Sequence, residues 1–99
     1  APPMDATPAI ADFAKLYKEK YGEDPGTYSV YAYAQGQILE QVLKDTKGLT
    51  REDLNEALHK VKAKTVMGEL EFDDVGELKV APSFLYEVVD GNFKLVKSR

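Results

Sequence analysis

Ninety-nine residues suffice for one small domain with its own core, and 43% hydrophobic with 30% charged side chains, six Tyr and four Phe describes a folded chain rather than a disordered one. The formal net charge of −4, with Lys interspersed among Asp and Glu in every segment, leaves no basic stripe to follow a phosphate backbone and excludes nucleic acid as an expected partner. The absence of cysteine excludes disulfides, thiolate metal sites and cysteine nucleophiles, and leaves the redox compartment open.

The apolar runs are too short to span a membrane, and Ala1-Pro2-Pro3-Met4 lacks the basic start and apolar centre of a secretion signal. Residues 1–6 hold two prolines and no periodic pattern, which predicts an extended lead-in. Structure is expected from Thr7-Pro8, an N-cap followed by proline at the first helical position, where its missing amide costs nothing. Ile10, Phe13, Ala14, Tyr17 and Tyr21 recur on one face of this helix, Asp12, Lys15, Lys18 and Glu19 form a solvated opposite face, and Gly22 is the stop.

Residues 25–45 predict one long helix around which the chain is organised. Pro25-Gly26 breaks what precedes it, Thr27 offers a capping hydroxyl, and no proline interrupts the run before Asp45-Thr46-Lys47-Gly48. Tyr28, Tyr31, Ala32, Ala34, Ile38, Leu39, Val42 and Leu43 occupy an arc of about half the circumference, wider than one neighbour covers, so contact with a sheet and with a second helix is expected. Tyr28, Tyr31 and Tyr33 crowd its first two turns. Such amphipathic rings suit either the rim of a pocket or half-buried packing positions with wetted hydroxyls.

Thr50 caps the next predicted helix, with Asp53 at the reciprocal position of a capping box. Leu54, Ala57, Leu58 and Val61 follow at i, i+3, i+4 and i+7, while Lys60, Lys62 and Lys64 suit the negative pole of the helix dipole. His59, the only histidine, points away from the stripe and reads as a surface residue. From Thr65 the period becomes two. Val66, Leu70 and Phe72, the Asp73-Asp74-Val75-Gly76 turn, then Leu78 and Val80 predict a hairpin ended by Pro82. Phe84–Val89 and Asn92–Val96 flank Asp90-Gly91, the dipeptide favoured in a type I′ turn, and predict a second hairpin before the charged tail Lys97-Ser98-Arg99. Asp73, Asp74 and Glu77 do not have EF-hand spacing, and no phosphate-binding glycine loop, His-Glu-x-x-His pair or Gly-x-Ser-x-Gly elbow occurs. The residues themselves therefore point to no reaction, no metal and no cofactor.

Three stretches then resemble, in order, a known family: residues 13–22 (Phe-Ala-Lys-Leu-Tyr-Lys-Glu-Lys-Tyr-Gly), Asp24-Pro25-Gly26-Thr27-Tyr28, and Tyr31-Ala32-Tyr33. Thr65-Val66-Met67-Gly68, the turn at residues 72–79 and the strand pair around Asp90-Gly91 continue the same order. No one of these is specific. As a set spanning about residues 10–96, they are similar to the closing third of type I periplasmic solute-binding proteins, in particular the branched-chain amino-acid binders of ABC importers.

The resemblance implies an α/β fold, with residues 1–99 a single segment of a two-lobed protein, built as three helices followed by two β-hairpins. It further implies a non-enzymatic solute-binding role, a small amino-acid-like ligand, a membrane permease as partner, and a periplasmic or extracellular location. Tyr28 falls where these binders place an aromatic ring against the ligand side chain. The family's serine- and threonine-rich stretch that holds the ligand's carboxylate and ammonium has no counterpart in this chain, and Tyr33-Ala34-Gln35 departs from the frequent Tyr-Asp-Ala, which leaves the ligand open. The alternative is a stand-alone α+β interaction module without a small ligand. An isolated lobe segment is also expected to leave Ile38, Leu39, Val42 or Leu43 and the strand edges near Val66 and Leu70 partly uncovered and to self-associate, unless helices and hairpins close a core of their own.

Overall fold

A computed structural model describes residues 2–80 and 83–98. Three helices, α1 (Pro8–Tyr21), α2 (Ser29–Asp45) and α3 (Arg51–Lys60), precede two antiparallel strand pairs, β1 (Ala63–Thr65) with β2 (Gly68–Leu70) and β3 (Phe84–Val89) with β4 (Asn92–Ser98). This is the expected order of three helices and two hairpins. The chain divides into two compact units, one comprising Ala1–Val30 with Ala81–Arg99 and the other Tyr31–Val80.

In the first unit the lead-in turns rather than extends, the Ala6 amide donating to the Pro3 carbonyl at 3.0 Å. Thr7 caps α1 as expected, its Oγ1 accepting from the Ile10 amide at 3.2 Å with Pro8 opening the helix. Gly22 ends it in the left-handed conformation (φ 76°), and its amide returns to the Lys18 carbonyl at 2.8 Å. Ile10 is buried, and Phe13, Tyr17 and Tyr21 stack along the same face with centroids 6.0 and 4.7 Å apart. In the β3–β4 hairpin Asp90 and Gly91 both take positive φ (50° and 76°), as a type I′ turn requires. The register pairs Val88 with Phe93 and Tyr86 with Leu95 and shifts between Leu85 and Tyr86. Strand β4 continues through Ser98, so most of the expected tail is strand; Pro82 and Arg99 lie outside the described residues.

The second unit holds the larger core. Ile38 and Val42 from α2, Val61 just beyond α3, Ala63 from β1 and Leu70 from β2 are buried together, with Leu54, Ala57, Leu58, Met67, Phe72 and Leu78 packed against them. One helix thus meets both a strand pair and a second helix, as expected. Thr50 Oγ1 accepts from the Asp53 amide at 3.1 Å and starts α3 where expected.

The structure corrects four local expectations. The long helix begins at Ser29 rather than after Thr27, because the Ser29 amide bonds the Gly26 carbonyl at 3.0 Å and closes a turn across Thr27-Tyr28 first. The first hairpin reverses at Val66-Met67, between Thr65 paired with Gly68 and Ala63 paired with Leu70. There Thr65 Oγ1 accepts from the Met67 amide (3.0 Å) and donates to the Gly68 carbonyl (2.8 Å), and Gly68 supplies a φ of 96°. The Asp73–Gly76 turn is real but carries a single bridge, Phe72 to Leu78, and Val80 is exposed rather than paired in a strand. Finally, the covered side of α2 is a narrower stripe, Val30, Ala34, Ile38 and Val42, spaced four apart; Leu39 and Leu43 remain 53% and 56% exposed.

Candidate functional site

Tyr28 is positioned by the link between α1 and α2. Lys18 Nζ reaches Asp24 Oδ1 at 3.3 Å, Pro25 is buried, and the Gly26–Ser29 turn leaves Tyr28 immediately ahead of the helix. Its side chain is 74% exposed. Of the other two tyrosines, Tyr31 is half-buried and Tyr33 is 51% exposed. Two positions apart, they are separated by about 200° around the helix and face different surroundings, so they do not form one rim.

The Tyr31–Val80 unit carries surface depressions of its own. Two adjoining ones share His59 and Phe72: a cavity of about 220 Å³ completed by Asn55, Leu58 and Gly76, and one of about 380 Å³ completed by Asp73, Asp74 and Lys79. His59 is exposed as expected, with Nδ1 2.9 Å from the Asn55 carbonyl oxygen. Asp73 is occupied in shaping its turn, Oδ1 accepting from the amides of Val75 and Glu77 at 3.0 and 2.9 Å, which is the hairpin-turn role expected of this acidic run. A third cavity, of about 200 Å³, is lined in part by Asp45, Lys47, Glu56 and Lys60. There the hydrogen bond from Lys60 at 2.8 Å, reinforced by Lys47 at 3.4 Å, holds the Glu56 carboxyl below its ordinary value. Among the described residues no three His, Asp or Glu side chains come together as a metal site. No described helix is long and apolar enough to cross a membrane.

Sequence reasoning gave no role to Gln37 and Gln41, which the fold puts to use. Gln41 exchanges two hydrogen bonds with the backbone of Lys64, Nε2 donating to its carbonyl at 2.9 Å and Oε1 accepting from its amide at 3.0 Å. Gln37 Oε1 accepts from the Val66 amide at 2.7 Å, and Gln41 Nε2 also reaches the Gln37 carbonyl at 3.1 Å. Their i, i+4 spacing beside the buried stripe was the only signal in the sequence.

A sequence model of the family described as periplasmic binding protein matches residues 1–92. A Leu/Ile/Val-binding protein homolog 1 from Brucella abortus is 29% identical over 93 residues, covering 90% of this chain and 25% of the relative. A homolog 7 from the same organism is 35% identical over 66 residues, 63% of this chain and 16% of its own length. In three dimensions the chain is similar to the leucine binding protein LivK of Thermotoga maritima, with a TM-score of 0.71 at 20% identity over 93% of this chain and 26% of that one. The chain thus spans about a quarter of the length of homolog 1 and of LivK. With a family match over nearly its whole length and a fold similar to that of LivK, the chain is a segment belonging to the type I periplasmic binding protein family.

Proposed function

We propose that this chain is part of the solute-binding component of an ABC importer, and that the complete protein takes up branched-chain amino acids or related small solutes in the periplasm without chemical change. The observation that carries the reading is the family match over residues 1–92 together with two Leu/Ile/Val-binding homologues. In this reading residues 1–99 form the closing part of the two-lobed protein, a membrane permease is its partner, and no catalytic group is required.

Tyr28 is the residue we assign to the ligand. It stands largely exposed on the turn that leads into α2, the place where the resemblance puts an aromatic ring against the ligand side chain. Isothermal titration of the complete protein against amino acids, amides and aromatic acids tests the function; a folded protein that binds none of them overturns it. Replacing Tyr28 by Ala in that protein should weaken binding by about 1 to 3 kcal/mol, the scale of losing one buried aromatic contact, with a smaller change in stability. Tyr28→Phe separates the ring from the hydroxyl. Equal affinity for wild type and Tyr28→Ala would return the residue to a packing role.

A further inference from the structure

We propose that Gln37 and Gln41 act as a surrogate strand, closing the outer edge of β1 so that it does not pair with a second copy of this chain. Among the described residues strand β1 has β2 on one side only. On its other side the Lys64 amide and carbonyl, with the Val66 amide of the adjoining turn, would stand open, the arrangement that templates addition of another strand. A glutamine side chain ends in the same N–H and C=O pair as a peptide unit. Gln41 uses both on Lys64, reproducing the two-bond exchange that a hydrogen-bonded residue pair makes across an antiparallel ladder. Gln37, one turn earlier, meets Val66, the first residue of the turn that follows β1 and two positions beyond Lys64, so the helix rise of one turn tracks the extended repeat closely enough for two side chains to serve alternate residues.

The orientation of the Gln41 amide follows from its partners, because Lys64 N–H needs an acceptor and Lys64 C=O a donor, and only one of the two amide orientations supplies both. Leu39 and Leu43 lie exposed on the same helix while these two polar side chains are half-buried against the strand. Apolar contact does not account for that choice, whereas closure of an edge does.

Hydrogen exchange of the Lys64 and Val66 amides in the 99-residue chain tests the proposal. In the wild type both should exchange slowly already at low protein concentration. In Gln37→Ala/Gln41→Ala, which keeps good helix formers in α2, both should exchange at least tenfold faster at low concentration and slow again as concentration rises and copies pair along the bared edge. Unchanged exchange in the double variant, fast exchange there that ignores concentration, or fast exchange in the wild type at low concentration would each overturn the proposal. Should the double variant fail to fold by circular dichroism, Gln41→Glu provides the second arm. It keeps the acceptor for the Lys64 amide, so that amide should stay slow in a folded chain; fast exchange there overturns the proposal.

Discussion

At the scale of single residues, several side chains in this chain do local work. Thr7 and Thr50 close the first turns of their helices, and Asp73 bonds two amides of its own turn. Glu56 is a charged example, holding Lys60 one helical turn away and Lys47 from the preceding loop. Because these cations lower its folded pKa, the carboxylate stabilises the fold at pH above the ordinary value of 4.5 and loses that contribution as the pH falls through the lowered folded value. The groups are solvent-exposed, so the effect is screened by salt. Thermal unfolding of wild type and Glu56→Gln should therefore differ most near neutral pH and low salt and converge in acid. A gap that widens as the pH drops would contradict the pairing.

At the scale of elements, α2 decides what is core. Its apolar arc is half covered: Val42 is buried on the side shared with Val61 and Ala63, while Leu43, its neighbour in sequence, is exposed. Replacing Val42 by Ala should cost about 1.5 to 3 kcal/mol, the range for a fully buried aliphatic side chain. Leu43→Ala should change stability by no more than about 0.5 kcal/mol, the range for surface substitutions. Urea titration of the two variants checks the contrast; equal losses would place both leucine and valine in the core. The β3–β4 hairpin repeats the theme, with Tyr86 and Leu95 half-buried and the Val88–Phe93 pair beside the turn exposed.

At the scale of the whole molecule, Leu39, Leu43 and Leu49 on the second unit and Val88, Phe93 and Val96 on the hairpin present large apolar side chains to solvent. Of the side chains among which uncovered surface was expected, Leu39 and Leu43 are exposed, whereas Ile38 and Val42, and Val66 and Leu70 on the strand pair, are buried. The buried set shows that the Tyr31–Val80 unit builds a core from its own residues. The exposed set still predicts association of the 99-residue chain. Light scattering over a concentration series should show the average mass rising. A strictly monomeric mass at high concentration, with one cooperative unfolding transition, would show that these side chains are tolerated in water and that the chain is closed as it stands.

The sequence by itself determined the features whose causes lie within a few residues. A hydroxyl three positions ahead of a free amide makes the caps at Thr7 and Thr50, a residue without a side chain ends α1 at Gly22, and Asp-Gly imposes two positive φ angles on the β3–β4 turn. The ordered resemblance to the periplasmic binding proteins was legible for a related reason, since those local devices recur at fixed spacing. Tertiary structure alone decided which half of the α2 arc is covered, that Val66-Met67 rather than Asp73–Gly76 reverses the first hairpin, and that Gln37 and Gln41 belong with β1 rather than with solvent. The partners of those glutamines lie 23 and 29 residues away, and a helical wheel ranks side chains by polarity without knowing what stands opposite. Only when β1 lies beside α2 does a carboxamide satisfy an open strand edge better than the two leucines left in water.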